Sequence, residues 1–184
     1  MFLMAAALGL KDRYTRDHAH RVGLYAQRLA GRLGLGADQI QLISLGGMLH
    51  DVGKLALSDQ IFSNRNADLS NEMFSEVQSH PLIGGAILGR LDCDGAIRDA
   101  ALYHHERIDG SGYPFGLKGE EIPLSARIVS IVDCFDAITT ERPYQKSKSC
   151  SEAIQALKDM AGVRLSADLV TLFIDEICHG GMVD

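Results

Sequence analysis

An all-α fold is what this sequence predicts, and three observations carry the prediction. Apolar residues recur at helical spacing along most of the chain. No run of alternating β-branched residues marks a strand. Helix-start signals precede one apolar segment after another.

Taken in order, the first clear element holds His18, Val22, Tyr25, Leu29 and Leu33 on one face and ends near "GLG". A second helix is expected from about Asp38 to Leu49, with Leu42, Leu45 and Leu49 on its apolar stripe. Ser70 reads as the N-cap of a helix beginning "NEMFSEV", with Glu72 in the first turn to complement the helix dipole. Pro81 predicts a break or restart at His80. A helix from about Ala96 is expected to carry Tyr103 to Glu106 at its C-terminal end. Pro123 suits the first turn of the next helix, whose core face includes Ile128, Ile131, Val132 and Phe135. "SCSE" supplies a capping box, Ser149 with Glu152, for a helix to about Met160, and Ser166 caps a last helix reaching Cys178. The opening "MFLMAAALGL" is too short to span a bilayer. It is expected to be a short helix packed on the core, or the end of a linker helix from an upstream domain.

Composition narrows the function. The 184 residues suffice for one domain with a sizeable core, and 46% hydrophobic with 23% charged residues is ordinary for a soluble protein. A net charge of −6 disfavours duplex nucleic acid, which needs a phosphate-neutralising surface, but leaves room for a small phosphate ligand on a local cationic site. Cys93, Cys134, Cys150 and Cys178 lack metal or redox spacing, so free thiols in a reducing, cytoplasmic setting are expected.

The chemistry sits with the histidines. His50 and Asp51 end an apolar helix, with Lys54 one turn later; Asp133 lies in "RIVSIVDCFDAI", where burial is expected. A buried carboxylate costs several kcal/mol unless it is paired or bound to a cation. One histidine on an apolar face is more often a satisfied core residue than a ligand, and His20 and His179 stay under that reading. The set His18, His50, Asp51, His80, His104, His105 and Asp133 is another matter. Imidazoles with carboxylates and no thiolate suit Fe, Mn, Ni, Co or Zn, and the set exceeds what one catalytic ion with open positions needs. Two ions sharing a carboxylate would use all of it.

Three segments, "HDVGK" (50–54), "HHERIDGSGYP" (104–114) and "IPLSARIVSIVDCFDAITTERPY" (122–144), resemble the HD-GYP family. That family is the branch of the HD-superfamily metal phosphohydrolases that acts on cyclic di-GMP. The likeness extends through "YTRDHAHRV" (14–22) and "SHPLIGGAIL" (79–88), about residues 11 to 160 in all. It implies a single HD-superfamily helical domain of about six to eight helices, spanning residues 1–184. It further implies metal ligation by the seven residues, with Asp51 bridging two ions, most readily Fe or Mn. Lys54 matches a lysine near the scissile phosphate, and Arg142 an arginine that contacts substrate phosphate. Some members carry a glutamate four residues before the first histidine that supports a third ion; Tyr14 stands here, so a dinuclear centre is expected. Gln145 replaces a frequent basic residue, with Lys146 next, and "VRLSADLV" departs from the usual start of the last helix.

The implied activity is hydrolysis of cyclic di-GMP to pGpG and then GMP, with cyclic GMP–AMP as an open second substrate. The implied partners are a diguanylate cyclase, met through the "GSGYP" loop, and a second copy of the chain. The alternatives are a catalytically weak cyclic-dinucleotide-binding or interaction module, and another HD hydrolase such as a nucleotidase. The loop itself reads equally as turn chemistry and as a partner surface. Tyr113 exceeds what a turn requires, and its ring is expected to anchor the loop.

Overall fold

The computed structural model describes residues 13–63, 70–141 and 146–179. The expected first helix within residues 1–10, and Arg142 and Gln145, lie outside these. The order of elements is α1 (Arg13–Arg32), α2 (Ala37–Leu49), a 3-10 turn (Val52–Ala56), α3 (Asp59–Ser63), α4 (Asn71–Gln78), α5 (His80–Arg90) and α6 (Gly95–Tyr103). A second 3-10 turn (Gly119–Glu121), α7 (Leu124–Thr139), α8 (Cys150–Met160) and α9 (Ala167–His179) complete it. No strand occurs among the described residues, so the all-α expectation holds. No described helix is long and apolar enough to cross a membrane.

The caps expected at Ser70 and Ser149 are in place, whereas the Ser166 side chain makes no capping bond to the last helix among the described residues. Ser70 Oγ accepts from Met73 N at 3.3 Å, and Ser149 and Glu152 form the reciprocal capping box of α8. Asp94, unremarked in the sequence, caps α6 by accepting from Ala96 N at 2.8 Å. Pro123 is the N-cap of α7 rather than its first residue. One expectation is corrected: α6 ends at Tyr103, so His105 and Glu106 lie beyond the helix. The His104 ring closes it, its Nδ1–H donating to Ala101 O at 3.0 Å and Ala100 O at 3.1 Å and so satisfying terminal carbonyls.

α1 packs on α2 and α7, α6 packs on α2, α5 and α7, and α8 and α9 close against α7 and α1. A large apolar cluster gathers Val22, Leu29, Ile128, Val132, Phe135 and Phe173; a smaller one holds Leu49, Val52, Leu88 and Ile97. His50 and Asp51 fall in sequence between Leu49 and Val52, so the packing that buries those two apolar residues also buries the polar pair. All four cysteines are free.

The 3-10 turn after Asp51 lies directly on the start of α5. A Cβ at Gly53 would overlap the carbonyl of His80 and lie 2.6 Å from Gly84 N, so only glycine permits this approach. The contact fixes Asp51 relative to His80. Gly53→Ala is therefore expected to lower the unfolding free energy by about 2–3 kcal/mol in urea titration. Gly31→Ala, in open space on α1, should leave it unchanged or raise it by up to about 1 kcal/mol. Equal effects at the two glycines would refute the packing explanation.

Candidate metal centre

Seven side chains from separate elements meet in one place. His18 comes from α1, His50 is the C-cap of α2 with Asp51 next, and His80 opens α5. His104 and His105 follow α6, and Asp133 projects from α7. Their ligand-type atoms fall into three overlapping groups, each with all atoms within 4.8 Å: His18, His50 and Asp133; His50, Asp51 and His104; and His80, His104 and His105. His18, His50, Asp51, His80 and His104 are buried, and Asp133 is partly so.

Asp51 joins the groups. Its Oδ2 lies 3.4 Å from His50 Nε2 and 3.9 Å from His18 Nε2, while its Oδ1 lies 3.3 Å from His80 Nε2 and 3.9 Å from His104 Nε2. Asp133 Oδ1 adds to the first side, 3.3 Å from His18 Nε2 and 3.9 Å from His50 Nε2. Each oxygen of one carboxylate thus faces a different pair of imidazoles.

The tautomers follow from what the other ring nitrogens meet. His50 Nδ1 lies 2.7 Å from Gly47 O, His80 Nδ1 2.6 Å from Val77 O, and His104 Nδ1 against Ala100 O and Ala101 O. His18 Nδ1 lies 2.7 Å from Asp136 Oδ2. All these partners are acceptors only, so Nδ1 carries the hydrogen and Nε2 of each neutral ring carries a lone pair. Yet His18 Nε2 and His50 Nε2 are 3.4 Å apart, and His80 Nε2 and His104 Nε2 3.3 Å apart. Facing lone pairs at that range repel unless a cation or proton lies between them. This donor chemistry fits divalent metal, with second partners orienting each ring as metal-binding histidines require.

On the His80–His104–His105 side, protonation is the poorer solution. Burial drives His80 down to about 4 and His105 down to about 3, and takes His104 well below the usual imidazole range. His50 runs the other way: burial disfavours its charge, but Asp51 and Asp133 outweigh that and raise it. Asp51 is held well below the ordinary carboxylate range, since Lys54 and His50 overcome the effect of burial. Asp133 is likewise lowered, with His50 and His18 outweighing burial. Lys54 Nζ donates to Asp51 Oδ2 at 2.6 Å and keeps 30% of its side chain exposed, so it stands at the edge of the cluster.

Three contributors escaped the sequence reading. Asp136, fully buried, accepts from His18 Nδ1 and from Arg21 Nε at 2.5 Å and Arg21 Nη2 at 3.0 Å. Its one available signal was its place a single turn after Asp133 in "DCFD". Glu106, also buried, accepts from Phe115 N at 2.7 Å and Leu117 N at 3.0 Å, so its carboxylate clamps the "GSGYP" loop. Gly112 is needed there for close approach rather than for positive φ, because a Cβ would meet Glu106 Cα at 2.5 Å. Tyr113 stacks on His105, ring centroids 4.7 Å apart and planes 23° apart, so the loop is anchored on the cluster itself. His20 is exposed, and His179 ends α9 on the surface, its Nδ1 3.1 Å from Asp175 O. The side chain of Tyr14 lies outside the described residues.

Fold and site together define a class: a helical domain whose helices and helix ends deliver imidazoles and aspartates to one buried cluster of metal-ligand type. The chain belongs to the HD-domain family, whose model matches residues 3–169. It is 40% identical over 163 residues to a cyclic di-GMP phosphodiesterase of Pseudomonas aeruginosa, covering 87% of this chain and 39% of that protein. A cyclic di-GMP phosphodiesterase of Thermotoga maritima is 38% identical over 168 residues, covering 89% and 45%. A 3′3′-cGAMP-specific phosphodiesterase of Vibrio cholerae is 35% identical over 156 residues, covering 85% and 36%. The chain therefore spans less than half the length of these relatives. Among solved structures, an HDG"Y"P protein of Bdellovibrio bacteriovorus shares the fold with a TM-score of 0.71 at 23% identity, covering 88% of this chain and 51% of that one.

The depressed imidazoles set a pH dependence. Unfolded histidines titrate near about 6.5, whereas His80 and His105 in the folded state bind protons only near about 4 and 3. Below about 6.5 the unfolded chain binds more protons, so stability falls with acidification across that window. The contribution of His50, whose pKa is raised, is already complete below its unfolded pKa and does not mask the loss. The lowered aspartates add their own loss only below about 3.8. In metal-free protein, the unfolding free energy from urea titration should drop between pH 6.5 and 4.5. His105→Gln should flatten the profile; a flat wild-type profile would contradict the burial of these rings.

Proposed function

We propose that this chain is a metal-dependent phosphodiesterase that hydrolyses cyclic di-GMP to pGpG and onward to GMP, acting in the cytoplasm. The observation that carries the reading is Asp51, whose two oxygens face two separate imidazole pairs. On this reading Asp51 would be the carboxylate shared by two divalent ions, iron or manganese, with nickel, cobalt and zinc chemically compatible. His18, His50 and Asp133 would hold one, and His80, His104 and His105 the other. When bound, such ions supply Lewis-acid activation of a phosphodiester and of the attacking water.

The chain's own residues do the rest. Burial of the cluster and its retained hydrogen bonds keep the ligands preorganised, so little rearrangement accompanies binding. Lys54, partly exposed beside Asp51, is placed to bind a non-bridging phosphate oxygen or to protonate the leaving 3′-oxygen as its bond to phosphorus breaks. Arg142 is assigned a substrate phosphate, which a guanidinium can grip at two points. The loop after Glu106 exposes Phe115, 56% accessible, and this surface is assigned to a diguanylate cyclase partner or a second copy. Relatives specific for 3′3′-cGAMP lie at similar identity to those acting on cyclic di-GMP, so the mixed dinucleotide is the second substrate to test.

Purified anaerobically and supplied with Mn²⁺ or Fe²⁺, the protein should convert cyclic di-GMP to pGpG, with 3′3′-cGAMP assayed in parallel. Asp51→Ala should lose turnover and metal stoichiometry together, and Lys54→Met should lower kcat by about 100-fold with metal content intact. Arg142→Ala should mainly raise KM. Binding of cyclic di-GMP without any hydrolysis by the metal-loaded protein would instead identify a ligand-responsive module.

A further inference from the structure

Four of the five clustered imidazoles are oriented by a hydrogen bond from Nδ1: His18 to Asp136, His50 to Gly47, His80 to Val77 and His104 to Ala100 and Ala101. His105 makes no ring hydrogen bond with any described residue. Its neighbours are rings: His104 with centroids 4.1 Å apart, His80 at 5.0 Å in an edge arrangement, and Tyr113 stacked at 4.7 Å. The first two belong to the cluster, so Tyr113 is the described ring outside it that holds His105 in plane.

Tyr113 is itself held at several points. Its backbone N donates to His105 O at 3.3 Å, and Glu106 fastens the following turn through Phe115 N and Leu117 N. The missing side chain at Gly112 lets the loop lie against Glu106 and Arg107. Burial and the charges of Asp51 and Asp133 raise the Tyr113 phenol. Among the described residues the Tyr113 hydroxyl makes no hydrogen bond, so its ring face is the part in use.

We propose that Tyr113 is a positioning residue for His105, supplying by ring stacking the orientation that hydrogen bonds give the other four imidazoles. The loop of residues 106–117 thereby controls the His80–His104–His105 side of the centre. This rests on reading the cluster as a two-ion site, and it adds that one ion depends on the loop while the other does not. Whatever moves the loop then acts on one ion's affinity.

Co²⁺ titration of the chelator-stripped full chain, followed by visible absorption and metal analysis, tests it without any activity assay. Wild type and Tyr113→Phe should bind two ions with the same affinities. Tyr113→Leu should bind one ion as wild type does and the second about 10–100-fold more weakly, the range found when a ligand loses its orienting partner. Phe115→Ala, exposed on the same loop, should change neither. Circular dichroism melts accompany each variant, and Tyr113→Met, which also lacks an aromatic face, repeats the test should the leucine variant not fold. Two ions bound unchanged in Tyr113→Leu or Tyr113→Met overturn the positioning role alone, as does a Tyr113→Phe variant weakened as much as the leucine. Failure of wild type to bind a second ion overturns the two-ion reading and this inference with it.

Discussion

The constraint on which the site depends is the direction of the imidazole lone pairs. Backbone carbonyls and Asp136 take the Nδ1 hydrogens, so the Nε2 atoms of His18, His50, His80 and His104 turn toward one another and toward Asp51. Between His80 and His104, whose imidazoles burial depresses, protonation is an expensive way to relieve the resulting repulsion. A cation relieves it at lower cost and compensates the buried charges of Asp51 and Asp133 as well. Structural economy and metal chemistry therefore point the same way.

The same hydrogen bonds explain why these helices end where they do. His50 and His104 sit at the C-caps of α2 and α6, and His80 reaches the last turn of α4, where carbonyls lack partners within the helix. Each ring satisfies such a carbonyl with one nitrogen and offers the other to the cluster. Helix termination and ligand presentation are thus one event. The glycine contact at Gly53 brings the start of α5 against the turn after Asp51, so the helix ends arrive at a common point.

Much of this was legible before any coordinates. The helical period placed His18 inward, Pro81 marked the restart at His80, and the ordered motifs named all seven residues that the structure gathers. What escaped was tertiary in origin. Asp136 looks like one more polar residue of α7 until His18 and Arg21 arrive from a distant helix. Glu106 reads as a helix-end carboxylate, but its partners lie beyond a turn whose path periodicity does not encode. Gly110 and Gly116 have the positive φ that glycine in a turn serves, whereas Gly112 is required by backbone packed against it, which no local pattern encodes. The adjacent histidines at 104 and 105 cannot share a face in α-helical geometry. They share the site because the helix stops between them and the residue before.

The central claim is that Asp51 places two ions close enough to share one carboxylate. Electron paramagnetic resonance of the fully Mn²⁺-loaded protein measures this most directly. A spin-coupled spectrum from a carboxylate-bridged pair, replaced in Asp51→Asn by the signal of isolated ions, is the predicted result. An isolated-ion spectrum accounting for all manganese in the fully loaded wild type would contradict it.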